Sequence, residues 1–241
     1  MSSSSGAIRG RDGGRFGRTV SGLAVALGCV LFLGGFAWAA VDYRPYTVPT
    51  NSMQPTVNPG DRVLAQHVSG SEVHRGDVVV FKDKLWGDLP EVKRVVGVGG
   101  DTVQCCDKQG RLMVNGTAVD ESYLPSGVPA SMSNFKTTVP RGELFLLGDN
   151  RAVSQDSRTH LMDDEHGSVP VADVKARVEA TAWPMGRMGK VGRTASFDAL
   201  TGGGASAQGP LGWLTIAVIA GAVLILFGAA WTPLARALRR T

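Results

Sequence analysis

Two uncharged apolar runs bracket this chain and decide what its ends can be. Residues 19–41, "TVSGLAVALGCVLFLGGFAWAAV", continue for about 23 residues, enough for a helix to cross the ~30 Å hydrocarbon core of a bilayer. Residues 211–231, "LGWLTIAVIAGAVLILFGAAW", continue for about 21 residues and pass the same test. Between them the chain has room for one ordinary domain, residues 42–184, and a linker, residues 185–210.

The arginines give these runs a direction. Arg9, Arg11, Arg15 and Arg18 precede the first with only Asp12 opposing them, and Arg236, Arg239 and Arg240 follow the second. The formal net charge of +4 resides in those tails. The middle is slightly acidic, so charge makes no case for a nucleic-acid partner. Basic clusters outside both runs read as positive-inside signals. They place the basic tails, 1–18 and 232–241, in the cytoplasm and the middle outside the plasma membrane. The first run also has the small-residue end of a cleavable signal peptide, but its apolar stretch exceeds the usual 7–15 residues and favours an uncleaved anchor. The second could be a sorting tail, although its terminal arginines fit a stop-transfer helix. Residues 1–17 are rich in Ser, Gly and Arg and read as disordered.

Between the runs, helical periodicity is scarce and short β-branched stretches abound. "DRVLAQHV", "GDVVVFK", "EVKRVVGV", "DTVQCC", "RLMVNGTAV" and "GELFLLGD" are each bounded by Gly, Pro, Asp or Asn. Asn115-Gly116 suits a type I′ hairpin turn. Residues 171–184 return the chain as a final strand. The expected fold is mainly β, an antiparallel sheet closed or folded over on itself as a partial barrel, flanked by two transmembrane helices. "VVGVGGD" lacks the Gly-Lys-Ser/Thr ending of a phosphate loop and reads as a tight turn between strands. "TGGGASAQG" reads as part of a flexible linker over 185–210. Cys105 and Cys106 are adjacent, a spacing at which an ordinary disulfide is not expected. Without a CxxC pair or a His-rich cluster, a zinc site has no support.

Chemistry centres on "TVPTNSMQPT", just after the first run. Pro55 fixes its own φ and biases Gln54 away from helix, which puts Ser52 on a turn or extended segment. By itself it could be a solvated turn serine, because a hydroxyl is a weak nucleophile until a base takes its proton. His67, His74, His160 and His166 lie in polar, loop-like surroundings and read as surface residues. Lys93 stands mid-strand beside Arg94, and strand alternation sends one of the two toward a more buried face. An amine there loses hydration, which favours its neutral form and fits it for general-base work. A snorkelling edge lysine is the plainer alternative. "LLGDNRAVSQDSR" is either an Asx-rich surface loop or the support of a site.

Taken together and in this order, "NSMQPT", "RGDVVVF", "VKRVVGVGGDTV" and "GDNRAVSQDSR" resemble the type I signal peptidases, the serine–lysine leader peptidases of bacterial membranes. The likeness covers about residues 46–184, and two spans are similar to a subset from high-GC Gram-positive bacteria. It implies an extracytoplasmic domain of antiparallel sheets with partly closed barrel character. It implies Ser52 as nucleophile, Lys93 as general base, and Ser52 N–H and the Thr50 hydroxyl as oxyanion donors. Ser154 would orient the lysine, Asp156 and Arg158 would form an ion pair, and Asp149 would support the same loop. Met53 would line the substrate pocket and meet the membrane. Signal peptides of exported preproteins would be the substrates, the lipid bilayer and the secretion translocon the partners, with no cofactor or metal. "THLMDDEHG" before "SVP", and the "CC" after "GDTVQ", depart from the family pattern. From Val41 to Ser52 the chain reaches at most about 36 Å, which keeps the nucleophile near the membrane face. Two rivals remain: a self-cleaving repressor-type serine–lysine protease, which the two spans disfavour, and a catalytically silent membrane-tethered β-domain that binds secreted or pilin-like partners.

Overall fold

The computed structural model of the protein describes residues 12–237, in two compact units. One holds the helices α1 (Asp12–Asp42) and α2 (Leu211–Ala237); each contains a stretch long and apolar enough to cross a membrane, Thr19–Asp42 and Leu211–Trp231. The tail read as disordered over 1–18 lies outside the described residues up to residue 11. From Asp12 it continues the helix, since no proline interrupts it. The basic tail over 232–241 lies outside them from residue 238, and α2 takes up its beginning.

Glycines bring the two helices together. A methyl group at Gly28 would lie 2.8 Å from the Gly221 carbonyl oxygen, and one at Gly221 would lie 2.6 Å from the Phe32 amide nitrogen. Ser21 Oγ donates to the Gly228 carbonyl at 2.6 Å. Small residues at a helix contact let the backbones approach, which is how helices associate where lipid removes the hydrophobic drive.

The second unit, Asp42–Gly209, is built of antiparallel strands. In chain order these are β1 (Tyr43–Thr47), β2 (Arg62–Gln66), β3 (Val78–Phe81), β4 (Glu91–Val98), β5 (Thr102–Cys105) and β6 (Leu112–Val114). They are followed by β7 (Thr117–Ala118), β8 (Phe135–Thr138), β9 (Glu143–Leu147), β10 (Ser168–Pro170), β11 (Val174–Trp183) and β12 (Gly189–Lys190). The larger sheet runs β1-β2-β11-β3-β4-β9-β10, with β12 on β11; the smaller runs β7-β6-β5-β8. Asn115 and Gly116 adopt the left-handed φ values of 53° and 80° that the β6–β7 hairpin needs. β4 ends at Val98 and β5 begins at Thr102, with Gly100 at φ 95° in the turn between them.

Three apolar clusters form the core. Val79, Phe81, Val95 and Leu146 belong to one, and Val96, Val103, Phe145 and Leu147 to another, so β4 and β9 are covered on both faces. Consequently both Lys93 and Arg94 are buried, at 3 % and 1 % exposure, where strand alternation had required burial of one.

Two further expectations need correction. The segment 185–210, read from its composition as a flexible linker, lies against the β-unit up to Gly209. Phe197 and Leu200 enter the core cluster of Val103 and Leu147. Arg75 Nη1 donates to the Thr201 carbonyl at 3.1 Å, and Ser206 Oγ to Asp77 Oδ2 at 2.6 Å. Two apolar side chains with a hole to fill outweigh the freedom of the glycines around them. Cys105 and Cys106, expected not to bridge, are joined as a disulfide across a cis peptide, with Cα atoms 3.0 Å apart.

Candidate active site

Ser52 follows β1 on the turn that Pro49 and Pro55 bound, and Lys93 lies on the central strand β4. Both line one cleft of about 630 Å³. Its walls are largely apolar, from Val48, Leu85, Trp86, Leu89, Val92 and Val153, with Thr50 and Glu91 among the polar groups. Ser52 Oγ lies 3.2 Å from Thr50 Oγ1, within hydrogen-bond range, and either hydroxyl can donate. The Lys93 Nζ donates to Glu91 Oε2 at 2.6 Å, an ion pair with its amine buried and its carboxylate 30 % exposed.

The nucleophile turn is tied to the loop after β9. The Asn150 N–H donates to the Ser52 carbonyl at 2.9 Å, and Asn150 Nδ2 to the Asn51 carbonyl at 3.1 Å. Asp149, fully buried, accepts from Arg94 Nε at 2.8 Å and Nη2 at 2.6 Å, and from Thr56 Oγ1 at 2.5 Å. Asp156 takes Arg158 Nε and Nη2, both at 2.8 Å, and the Gly148 N–H at 3.0 Å. Ser154, expected to orient the lysine, is buried with its Oγ on the Gln155 carbonyl at 3.5 Å, whereas the Lys93 amine is on Glu91; its neighbours Val153 and Gln155 line the cleft. Gly148 is required here. A Cβ on it would run into Ser154 Oγ and lie 2.5 Å from the Ser52 carbonyl oxygen.

Met53 does not meet the cleft or the outside. It is fully buried with Val48, Val57, Val63 and Val178, because the Val57 N–H to Met53 carbonyl bond closes a turn that sends the side chain into the core. This corrects its expected place at the pocket and membrane. His160 is corrected too. It lines the cleft, stacked on Trp86 with ring centroids 4.4 Å apart, and its Nδ1 lies 2.6 Å from Asp163 Oδ2.

Behind the cleft lies a polar network that the sequence motifs contain but do not declare. Arg94 sits 3.9 Å over the ring of Tyr123, and Tyr123 donates its hydroxyl to Glu121 Oε1. Arg151 grips Glu121 through Nη1 at 2.8 Å and Nη2 at 2.5 Å and donates through Nε to the Gly148 carbonyl at 3.0 Å. Burial, then the Glu121 charge, pushes the Tyr123 phenol well above its ordinary range, which keeps it protonated as a donor. Arg151 in "GDNR" was the available signal. Its partners Glu121 and Tyr123, on a loop well before it, carried none. Among the described residues, no group of three or more His, Cys, Asp or Glu is placed to hold a metal ion.

The family model described as "Signal peptidase, peptidase S26" matches residues 18–183. A signal peptidase I of Mycobacterium tuberculosis is 36 % identical over 200 residues, covering 61 % of this chain and 67 % of that protein. A probable signal peptidase I of Mycobacterium leprae is 33 % identical over 207 residues, covering 62 % and 71 %. A signal peptidase I of Leptolyngbya laminosa is 32 % identical over 182 residues, covering 72 % and 83 %.

Proposed function

Since the chain belongs to the signal peptidases of peptidase family S26, we propose that it removes N-terminal signal peptides from exported preproteins with Ser52 as nucleophile and Lys93 as general base. The observation that supports this reading is the shared cleft, lined both by Ser52, 9 % exposed on its turn, and by the buried amine of Lys93. Neutral Lys93 takes the proton of Ser52, and Oγ attacks the scissile carbonyl to give a tetrahedral oxyanion. The Ser52 N–H and Thr50 Oγ1 are the donors we assign to that oxyanion. As the C–N bond breaks, Lys93 returns its proton to the departing amine, and water then releases the acyl group by the same route.

The apolar walls suit an extended peptide added beside the sheet, with small side chains entering the cleft. Ser154 and the Asp156–Arg158 pair act as support, holding the loop that in turn holds Asn150 and the Ser52 carbonyl. The basic clusters at both ends support cytoplasmic termini and an extracytoplasmic catalytic unit. A preprotein emerging from the lipid bilayer, at the secretion translocon, then meets an enzyme held in the same plane, which raises the effective concentration of each for the other.

Cleavage of a preprotein by the full-length protein in detergent tests this. Ser52→Ala and Lys93→Ala should each lose at least about 10³-fold in kcat/KM. Undiminished cleavage by Ser52→Ala sinks the proposal; a wild type that binds preprotein but cleaves nothing favours the silent binding domain.

A further inference from the structure

The amine assigned as general base is not free. It donates to Glu91, two residues back on the same face of β4, at 2.6 Å. We propose that Glu91 is a positioning residue that holds Lys93 in its charged, inactive form and thereby sets the pH at which the enzyme switches on. This rests on the Ser52–Lys93 reading and adds a control to it.

Two opposed influences meet at this amine. Burial penalises the charged form, and a carboxylate at contact distance favours it. Few other charges face the site. Across the ladder, β3 presents Val79 to Lys93. The turn after β1 brings the uncharged hydroxyls of Thr50 and Ser52, and the segment after β3 brings Leu85, Trp86, Gly87, Leu89 and Pro90. From the loop after β9 come Gln155 and His160, with His160 engaged by Asp163. Arg94 and Asp149 satisfy each other on the opposite side of β4. Among the described residues lining the cleft, Glu91 and His160 are therefore the titratable groups besides Lys93, and of the two Glu91 is the one paired with it.

Glu91 also provides the exit for the proton. Its side chain is 30 % exposed whereas that of Lys93 is 3 % exposed, so a proton leaving the ammonium reaches water past the carboxylate. Once the amine is neutral, the attraction that fixed it on Glu91 weakens, and its lone pair is available to the Ser52 hydroxyl.

The test is the pH dependence of preprotein cleavage by the full-length protein in detergent. Glu91→Gln should move the acidic limb of kcat/KM about one pH unit lower, making the variant up to about tenfold faster than wild type on that limb. Glu91→Asp keeps the charge at greater distance and should fall between, and it serves in place of the glutamine variant if that fails to fold. His160→Gln should leave the limb where it is, whatever it does to the rate. An unmoved limb in the Glu91 variants, a slower rate with an unchanged profile, or a limb that moves only with His160→Gln overturns the proposal. Failure of the underlying mechanism is seen separately, as continued cleavage by Ser52→Ala.

Discussion

Arg94 and Asp149 form a bidentate ion pair with neither side chain more than 1 % exposed, the two nitrogens 2.8 and 2.6 Å from the two carboxylate oxygens. The pair joins the strand that carries Lys93 to the loop whose next residue, Asn150, holds the Ser52 carbonyl. The geometry of base and nucleophile is thus referred to one buried contact.

Asp149→Ala should destabilise the protein by about 3–5 kcal/mol, because it strands the Arg94 charge without a counter-ion. Arg94→Lys should also weaken the unit, since an ammonium cannot reproduce the two-pronged contact. Chemical denaturation in detergent measures both. A loss below 1 kcal/mol for Asp149→Ala, by the same buried-pair estimate, would show that water or another group takes over.

Gly148→Ala should reduce cleavage by about 10²-fold while costing less stability than Asp149→Ala, because the added methyl displaces the Ser52 carbonyl and Ser154 rather than emptying a core. Removing the Ser154 hydroxymethyl as well, in Gly148→Ala with Ser154→Gly, should recover only part of the rate, since the backbone contact at 2.5 Å persists. Full recovery would mean that Ser154 alone carries the clash.

Gly28→Leu and Gly221→Leu should each pry α1 and α2 apart, at a cost of about 1–3 kcal/mol for overpacking. Cysteines placed on the facing helices should cross-link in the parent and not in these variants. Equal cross-linking in all three would contradict the close contact described above.

Asp101 supplies a pH dependence of stability. Burial alone would raise its carboxyl, but hydrogen bonds from Arg75, the Val98 N–H and Asn115 outweigh that and hold it below the ordinary range. The folded state therefore binds its proton less readily than the unfolded state. Its contribution is complete above the unfolded value of about 4 and fades as pH falls through the folded one. Stability measured from pH 6 downward should decline less steeply below about pH 4 in Asp101→Asn than in wild type. Parallel curves would rule out this carboxylate as a source of the acid sensitivity.

The features legible in the sequence are those governed by length and local turn chemistry. The two apolar helices follow from uninterrupted runs, and the β6–β7 hairpin follows from Asn115-Gly116. Side-chain direction was less legible, because strand alternation assumes one wet face, and β4 has none. His160 could not be placed, since its stacking on Trp86 depends on two segments far apart in the sequence, after β3 and after β9, meeting at the cleft. Glu91 was invisible for a different reason. A carboxylate two residues before a lysine is ordinary in sequence and acquires meaning only when both point into one cleft. The disulfide between Cys105 and Cys106 likewise required backbone geometry that adjacency alone does not announce.

The family match ends at residue 183, yet the β-unit continues to Gly209. Phe197 and Leu200 stop an opening among Val103, Phe145 and Leu147 that the matched portion does not close by itself. A soluble fragment trimmed at the family boundary would lose its cork and present bare hydrocarbon to water. The usable cut lies beyond Gly209, whose N–H donates to Glu179 Oε2 at 3.1 Å.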